Sequence, residues 1–143
     1  MALPACYHTS LSPRTVAPPI ETLARLAGST PGLQLLLLFG SRARGAAHAR
    51  SDWDLGYLAD ADFDPAGLLA ALVGVLGTDR VDLVDLARAS GLLRYRAARD
   101  GLVVFEARPR FAEQFRLEAA RFWCEAAPVL ERGYDDVLDG LTP

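Results

Sequence analysis

A strand-length apolar run, Leu33 to Phe39, stops abruptly at Gly40-Ser41, and this junction restricts the fold more than any other stretch of the chain. Seven residues with one polar interruption suit a buried strand rather than a helix, which needs a longer periodic pattern. A glycine directly after such a strand lets the backbone approach a ligand closely. A serine placed next can begin a helix whose N–H groups and hydroxyl face an anion. Ten residues further on, Ser51-Asp52-Trp53-Asp54-Leu55 opens a second expected strand, Trp53 to Leu58. Asp52 and Asp54 lie two apart on it, so both carboxylates leave the same face, with Trp53 and Leu55 on the other.

The remaining segments alternate in type. Pro19 suits a first helical position, and apolar residues recur on one face until Gly28 and Pro31 stop the helix. Asp64-Pro65 predicts a cap and first turn for an apolar helix through Leu76, and Arg80 to Leu86 reads as a third strand. Ser90 caps a helix to Asp100, Leu102 to Glu106 forms a fourth strand, and Pro109 opens a long amphipathic segment bent at Pro128. Residues 1–18 read as a loose leader, and 19–143 as one domain ending in a helical segment. The order α-β-α-β-α-β-α-β-α indicates an α/β (α+β) class, a small mixed sheet flanked by helices.

Composition removes several chemistries. The chain contains 15 basic residues, all arginine, so a Walker-type loop, a kinase-type ATP lysine, a Schiff-base lysine and a Ser-Lys dyad are excluded. The net charge of -3 argues against direct nucleic-acid binding, which relies on neutralising phosphates. Cys6 and Cys124 form no C-x-x-C pair, and the apolar run Leu35 to Phe39 is far too short to span a bilayer. These features fit a cytoplasmic protein without a membrane segment.

Two parallel carboxylates repel one another unless cations sit between them, and hard oxygen ligands favour Mg²⁺, which completes its shell with water and substrate phosphates. The apolar strand Val81-Asp82-Leu83-Val84-Asp85-Leu86 supplies a third carboxylate, from Asp82 or Asp85, which have opposite parity. A charge inside so apolar a strand is costly without a metal or partner.

The spacing G-S-x10-D-x-D, from Gly40-Ser41 to Asp52-Trp53-Asp54, with a later carboxylate on a hydrophobic strand, resembles the DNA-polymerase-β-type nucleotidyltransferase superfamily. The strand ending in Leu-Phe-Gly-Ser-Arg-Ala-Arg-Gly and the Val-Asp-Leu-Val-Asp-Leu strand look most like its minimal nucleotidyltransferase (MNT) proteins. The resemblance covers roughly residues 20–107. It implies a polymerase-β-like fold and transfer of AMP from ATP to a hydroxyl, tyrosine in particular, of a HEPN-type ribonuclease toxin, for which the MNT protein is the antitoxin. It also implies two Mg²⁺ ions during turnover. All three carboxylates would hold the first, and Asp52 with Asp54 the second. The family pattern selects Asp82, which would accept the proton of the attacking hydroxyl.

Gly40 and Ser41 are then expected to hold the terminal phosphates of ATP, with Arg42 the chosen arginine among Arg42, Arg44 and Arg50. Asp85 is expected to cap or pair at the end of its strand, and Arg94, Arg96 and Arg99 to form a solvated basic face. Two other functions compete: a non-catalytic antitoxin that acts by binding alone, and nucleotidyl transfer to a small molecule such as an aminoglycoside. Little chain is left to build a second substrate pocket for the latter.

Overall fold

The structure, a computed structural model, describes residues 20–45 and 51–141, with side chains described up to residue 126. The expected leader, Arg50 and Cys6 lie outside the described residues. The elements run α1 (Ile20–Gly28), β1 (Leu33–Phe39), α2 (Gly40–Ala43), β2 (Trp53–Ala59), α3 (Pro65–Leu76), β3 (Val81–Asp85), α4 (Gly91–Asp100), β4 (Leu102–Glu106) and α5 (Phe111–Leu141).

The strands form one four-stranded sheet in the order β3-β2-β1-β4. β1 pairs antiparallel with both β2 and β4, while β2 and β3, joined through α3, run parallel. The central position of β1 explains its composition. Leu36 and Leu38 pack into one core with Leu23, Leu68 and Leu72 of α1 and α3. Leu35 and Leu37 pack into another with Ala97, Ala112 and Phe115 of α4 and α5. A strand buried on both faces reads as continuously apolar instead of alternating. Leu33 shares a face with Leu36 despite its opposite parity, because the pairing with β2 shifts register between Leu33 and Leu35.

The helix ends follow local chemistry. In α1, Ile20, Leu23, Ala24 and Ala27 are buried at i, i+3, i+4 and i+7 spacing. Ser90 caps α4 by accepting from the Leu93 N–H at 3.2 Å, as expected. Pro65 opens α3, but the Asp64 side chain makes no cap hydrogen bond, contrary to the expected cap. At the other end Gly77 takes the left-handed conformation, φ 68°, and its N–H donates to the Val73 carbonyl.

The last helix starts at Phe111, two residues later than Pro109 suggests. Arg110, at φ 66°, turns the chain, and the Glu106 carboxylate accepts the Ala112 N–H at 3.0 Å, placing an anion at the helix start. Pro128 does not divide this 31-residue helix.

Arg116 fastens α5 to the end of α4. Its Nε donates to the Ala98 carbonyl at 3.1 Å and its Nη2 to the Gly101 carbonyl at 2.7 Å, satisfying acceptors that a helix C-terminus leaves open. Arg116→Met should therefore destabilise the fold by about 1–3 kcal/mol. Scanning calorimetry would register this as a lower Tm, while an unchanged Tm would show the two bonds to be interchangeable with water.

Candidate active site

The functional residues gather where β1 ends and β2 and β3 begin. Phe39 lies opposite Asp54 in the β1-β2 ladder, and Asp54 lies beside Asp82 in the parallel β2-β3 ladder. Directly neighbouring residues share a face, so the backbone alone sets Asp54 and Asp82 side by side. Asp85 pairs with Tyr57, on the opposite face of β2. There it closes the turn after β3, where its Oδ1 accepts the Ala87 N–H at 2.9 Å and Arg88 approaches its other oxygen at 3.8 Å.

Gly40 makes room for this arrangement. It takes φ +74°, and a Cβ built on it would overlap the Asp54 carboxylate. The glycine is required twice: for the left-handed turn and for the approach of Asp54 to the chain that carries Ser41. From here α2 forms a single turn, with Phe39 at the N-cap supplying no side-chain bond and the Arg44 N–H returning to the Gly40 carbonyl at 3.2 Å. The first N–H groups of such a turn have no partner within it.

The charges are arranged at odds with one another. Partial burial raises the Asp54 carboxyl above its usual range, and the nearby charges of Asp82 and then Asp52 raise it further. Arg44 opposes these effects. Asp52 and Asp82 are exposed. Asp82 thus corrects the expectation of a costly charge within an apolar strand, because β3 is the sheet edge and its second residue faces solvent.

Among the described residues no three carboxylate, imidazole or thiolate side chains converge closely enough to hold an ion by themselves. Asp54 and Asp82, pressed together with little compensating charge, fit a hard cation that takes further ligands from water and phosphate.

Arg42 is engaged at the entrance of β2. Its Nε and Nη2 donate to the Ser51 carbonyl at 3.2 and 2.7 Å, and its guanidinium carbon sits 4.1 Å from the centre of the Trp53 ring. Burial lowers its pKa, with Asp52 acting in the opposite direction. Arg42, the arginine expected to meet phosphate, is coupled by charge to Asp52, and Arg44 is coupled to Asp54. Nothing in the spacing distinguished the two.

The arginines of α4 do not form one basic face. Arg99 grips Asp100 with two bonds of 2.9 Å, and Arg94 lies 5.8 Å from the Phe115 ring centre. Of the α5 aromatics, Phe115 is core, Phe111 packs against that core, Trp123 stacks on Tyr95 at 5.8 Å, and Phe122 is half exposed.

Residues 21–110 match the family described as polymerase beta, nucleotidyltransferase. Over 104 residues the chain is 39% identical to a protein named protein adenylyltransferase MntA from Aphanizomenon flos-aquae, spanning 64% of this chain and 69% of that relative. Its fold is similar to that of a chain in a crystal structure of a toxin-antitoxin with AMP-PNP, at a TM-score of 0.69 and 30% identity, covering 82% of this chain and 96% of that one. It is similar also to a chain in a structure of a tri-AMPylated Shewanella oneidensis HEPN toxin in complex with an MNT antitoxin. There the TM-score is 0.64 and the identity 27%, over 83% of this chain and 95% of that one.

Proposed function

The chain belongs to the polymerase beta nucleotidyltransferase family, and on that premise we propose that it transfers AMP from ATP to a hydroxyl, tyrosine in particular, of a partner HEPN-type toxin and so acts as its antitoxin. The observation that carries the reading is the pair Asp54 and Asp82, set side by side in register against the turn opened by Gly40. This is an arrangement for chemistry. A carboxylate raised by burial and by like charges supports chemistry over binding alone.

Ser41 and the open N–H groups of α2 bind the terminal phosphates of ATP, and Arg44 adds a positive charge beside them. Asp54 and Asp82, joined by Asp52 and completed by water and the phosphates, would hold Mg²⁺, which supplies charge neutralisation for the triphosphate and lowers the pKa of the attacking hydroxyl. Asp82, exposed at the sheet edge and open to an incoming side chain, accepts the hydroxyl proton on its carboxylate. The hydroxyl oxygen bonds to the α-phosphorus, the bond from that phosphorus to the bridging oxygen breaks, and pyrophosphate leaves.

The need for ATP supports a cytoplasmic setting for the reaction. Among the described residues no helix is long and apolar enough to cross a membrane.

Intact-mass spectrometry of the cognate toxin after incubation with this chain, ATP and Mg²⁺ tests the proposal. The toxin should gain AMP, and Asp52→Ala or Asp54→Ala should abolish the gain while the complex still forms. An unmodified toxin in a demonstrably formed complex would overturn the assignment.

A further inference from the structure

We propose that Arg42 is a positioning residue, a latch that fastens the one-turn helix α2 to the entrance of β2 and so fixes Asp52 and Asp54 relative to the Gly40-Ser41 turn. This rests on the reading of the site as a nucleotidyltransferase centre.

Two nitrogens of the guanidinium donate to one acceptor, the Ser51 carbonyl, at 3.2 and 2.7 Å, and its central carbon sits over the Trp53 ring, 4.1 Å from the centroid. Both partners belong to the acidic motif. Ser51 directly precedes Asp52, and Trp53 lies between the two aspartates. Trp53 is buried in the core formed with α1 and α3, so strand alternation turns Asp54 to the opposite face. Holding Trp53 therefore aims Asp54.

The hold extends one strand further, because the Trp53 N–H donates to the Arg80 carbonyl at 2.9 Å, two residues before Asp82. Arg42 thus anchors one end of a short path from α2 through β2 to the start of β3. Its guanidinium lies on the Trp53 side of the strand, and Arg44 is the arginine whose charge acts on Asp54.

Lysine cannot replace such a latch. An ammonium carries the charge but lacks the planar fork that gives two N–H groups to one carbonyl while stacking on an indole. A phosphate ligand, by contrast, tolerates lysine, which binds phosphate as a point charge.

The test compares Arg42→Lys and Arg42→Gln with the wild-type chain in three measurements. In metal-free, ATP-free protein, hydrogen exchange at residues 51–55 should speed up in both variants. Binding of AMP-PNP with Mg²⁺ should stay within about threefold of wild type, as should KM for ATP. The turnover of AMP onto the toxin should fall by about 10²-fold, the loss expected when reacting groups are misplaced, and lysine should not rescue it.

Unchanged exchange with weakened AMP-PNP binding, raised KM and rescue by lysine would overturn the proposal and make Arg42 a phosphate ligand. Wild-type behaviour of Arg42→Gln in all three would overturn it as well. Should either variant fold poorly, Trp53→Phe weakens the stack while leaving every charge in place, and it should lower turnover without raising KM. An inactive wild-type chain would count against the transferase reading alone, since exchange and AMP-PNP binding still decide whether Arg42 is a latch.

Discussion

Gly40→Ala should reduce AMP transfer by at least about 10²-fold, the penalty of displacing a reacting group by an ångström. The left-handed backbone by itself costs an alanine roughly 1–2 kcal/mol. The larger effect is local, because the new Cβ would occupy the space of the Asp54 carboxylate. Either Asp54 swings away from Asp82 or the turn bearing Ser41 moves back, and both separate the groups that bind phosphate from those that bind metal. Gly77→Ala provides the control. Gly77 has a similar φ of 68° at the end of α3, and a Cβ there meets nothing within 4 Å. Steady-state transfer assays should show near-normal turnover for Gly77→Ala, despite a lower Tm, and a collapse for Gly40→Ala. Equal activity losses in the two variants would reduce the effect to backbone strain.

Asp54→Asn should abolish transfer, by about 10³-fold or more given the several kcal/mol that metal-assisted charge stabilisation contributes, and yet raise the Tm of the metal-free protein. The sign follows from the raised carboxyl. The folded state holds the Asp54 proton more tightly than the unfolded chain does, so ionisation there weakens folding. That weakening is absent below the ordinary carboxylate value of about 3.9. It grows as pH rises through the folded value and is complete above it. Melting curves across pH should show the variant and the wild type converging in acid and separating towards neutrality, with the variant higher. Added Mg²⁺ with AMP-PNP should raise the wild-type Tm by linkage and have much less effect on the variant. A variant less stable than wild type at neutral pH would show that Asp54 is held by favourable contacts instead of strained.

Much of this site was legible because its parts are local. The apolar run fixed β1, and the glycine after it marked a backbone turn whose φ of +74° only glycine takes easily. Alternation along a strand showed that Asp82 and Asp85 leave opposite faces. The family resemblance chose Asp82 between them, and the register supplies a physical reason, since Asp54 adjoins Asp82 and Tyr57 adjoins Asp85.

What stayed hidden depends on contacts distant in sequence. The order β3-β2-β1-β4 puts Asp82 on an edge strand, so the desolvation expected from its apolar neighbours does not apply. Arg42 and Arg44 are two residues apart in one motif, and their different surroundings appear only when the chain returns to lay Ser51 and Trp53 against the first of them. Asp64 precedes a helix-opening proline as a cap should, yet its side chain makes no cap bond. Likewise, the Glu106 carboxylate serving α5 comes from β4, beyond the reach of a capping pattern read along the helix.

The most direct measurement counts AMP groups placed on the toxin when this chain is present at well below one molecule per toxin, with ATP and Mg²⁺ in excess. A transferase turns over, so the wild-type chain should modify essentially all of the toxin and release one pyrophosphate for each AMP attached, and Asp54→Asn should modify none. Neutralisation that stops at one toxin per chain, proceeds without ATP and survives Asp54→Asn would contradict catalysis and leave binding as the mode of action.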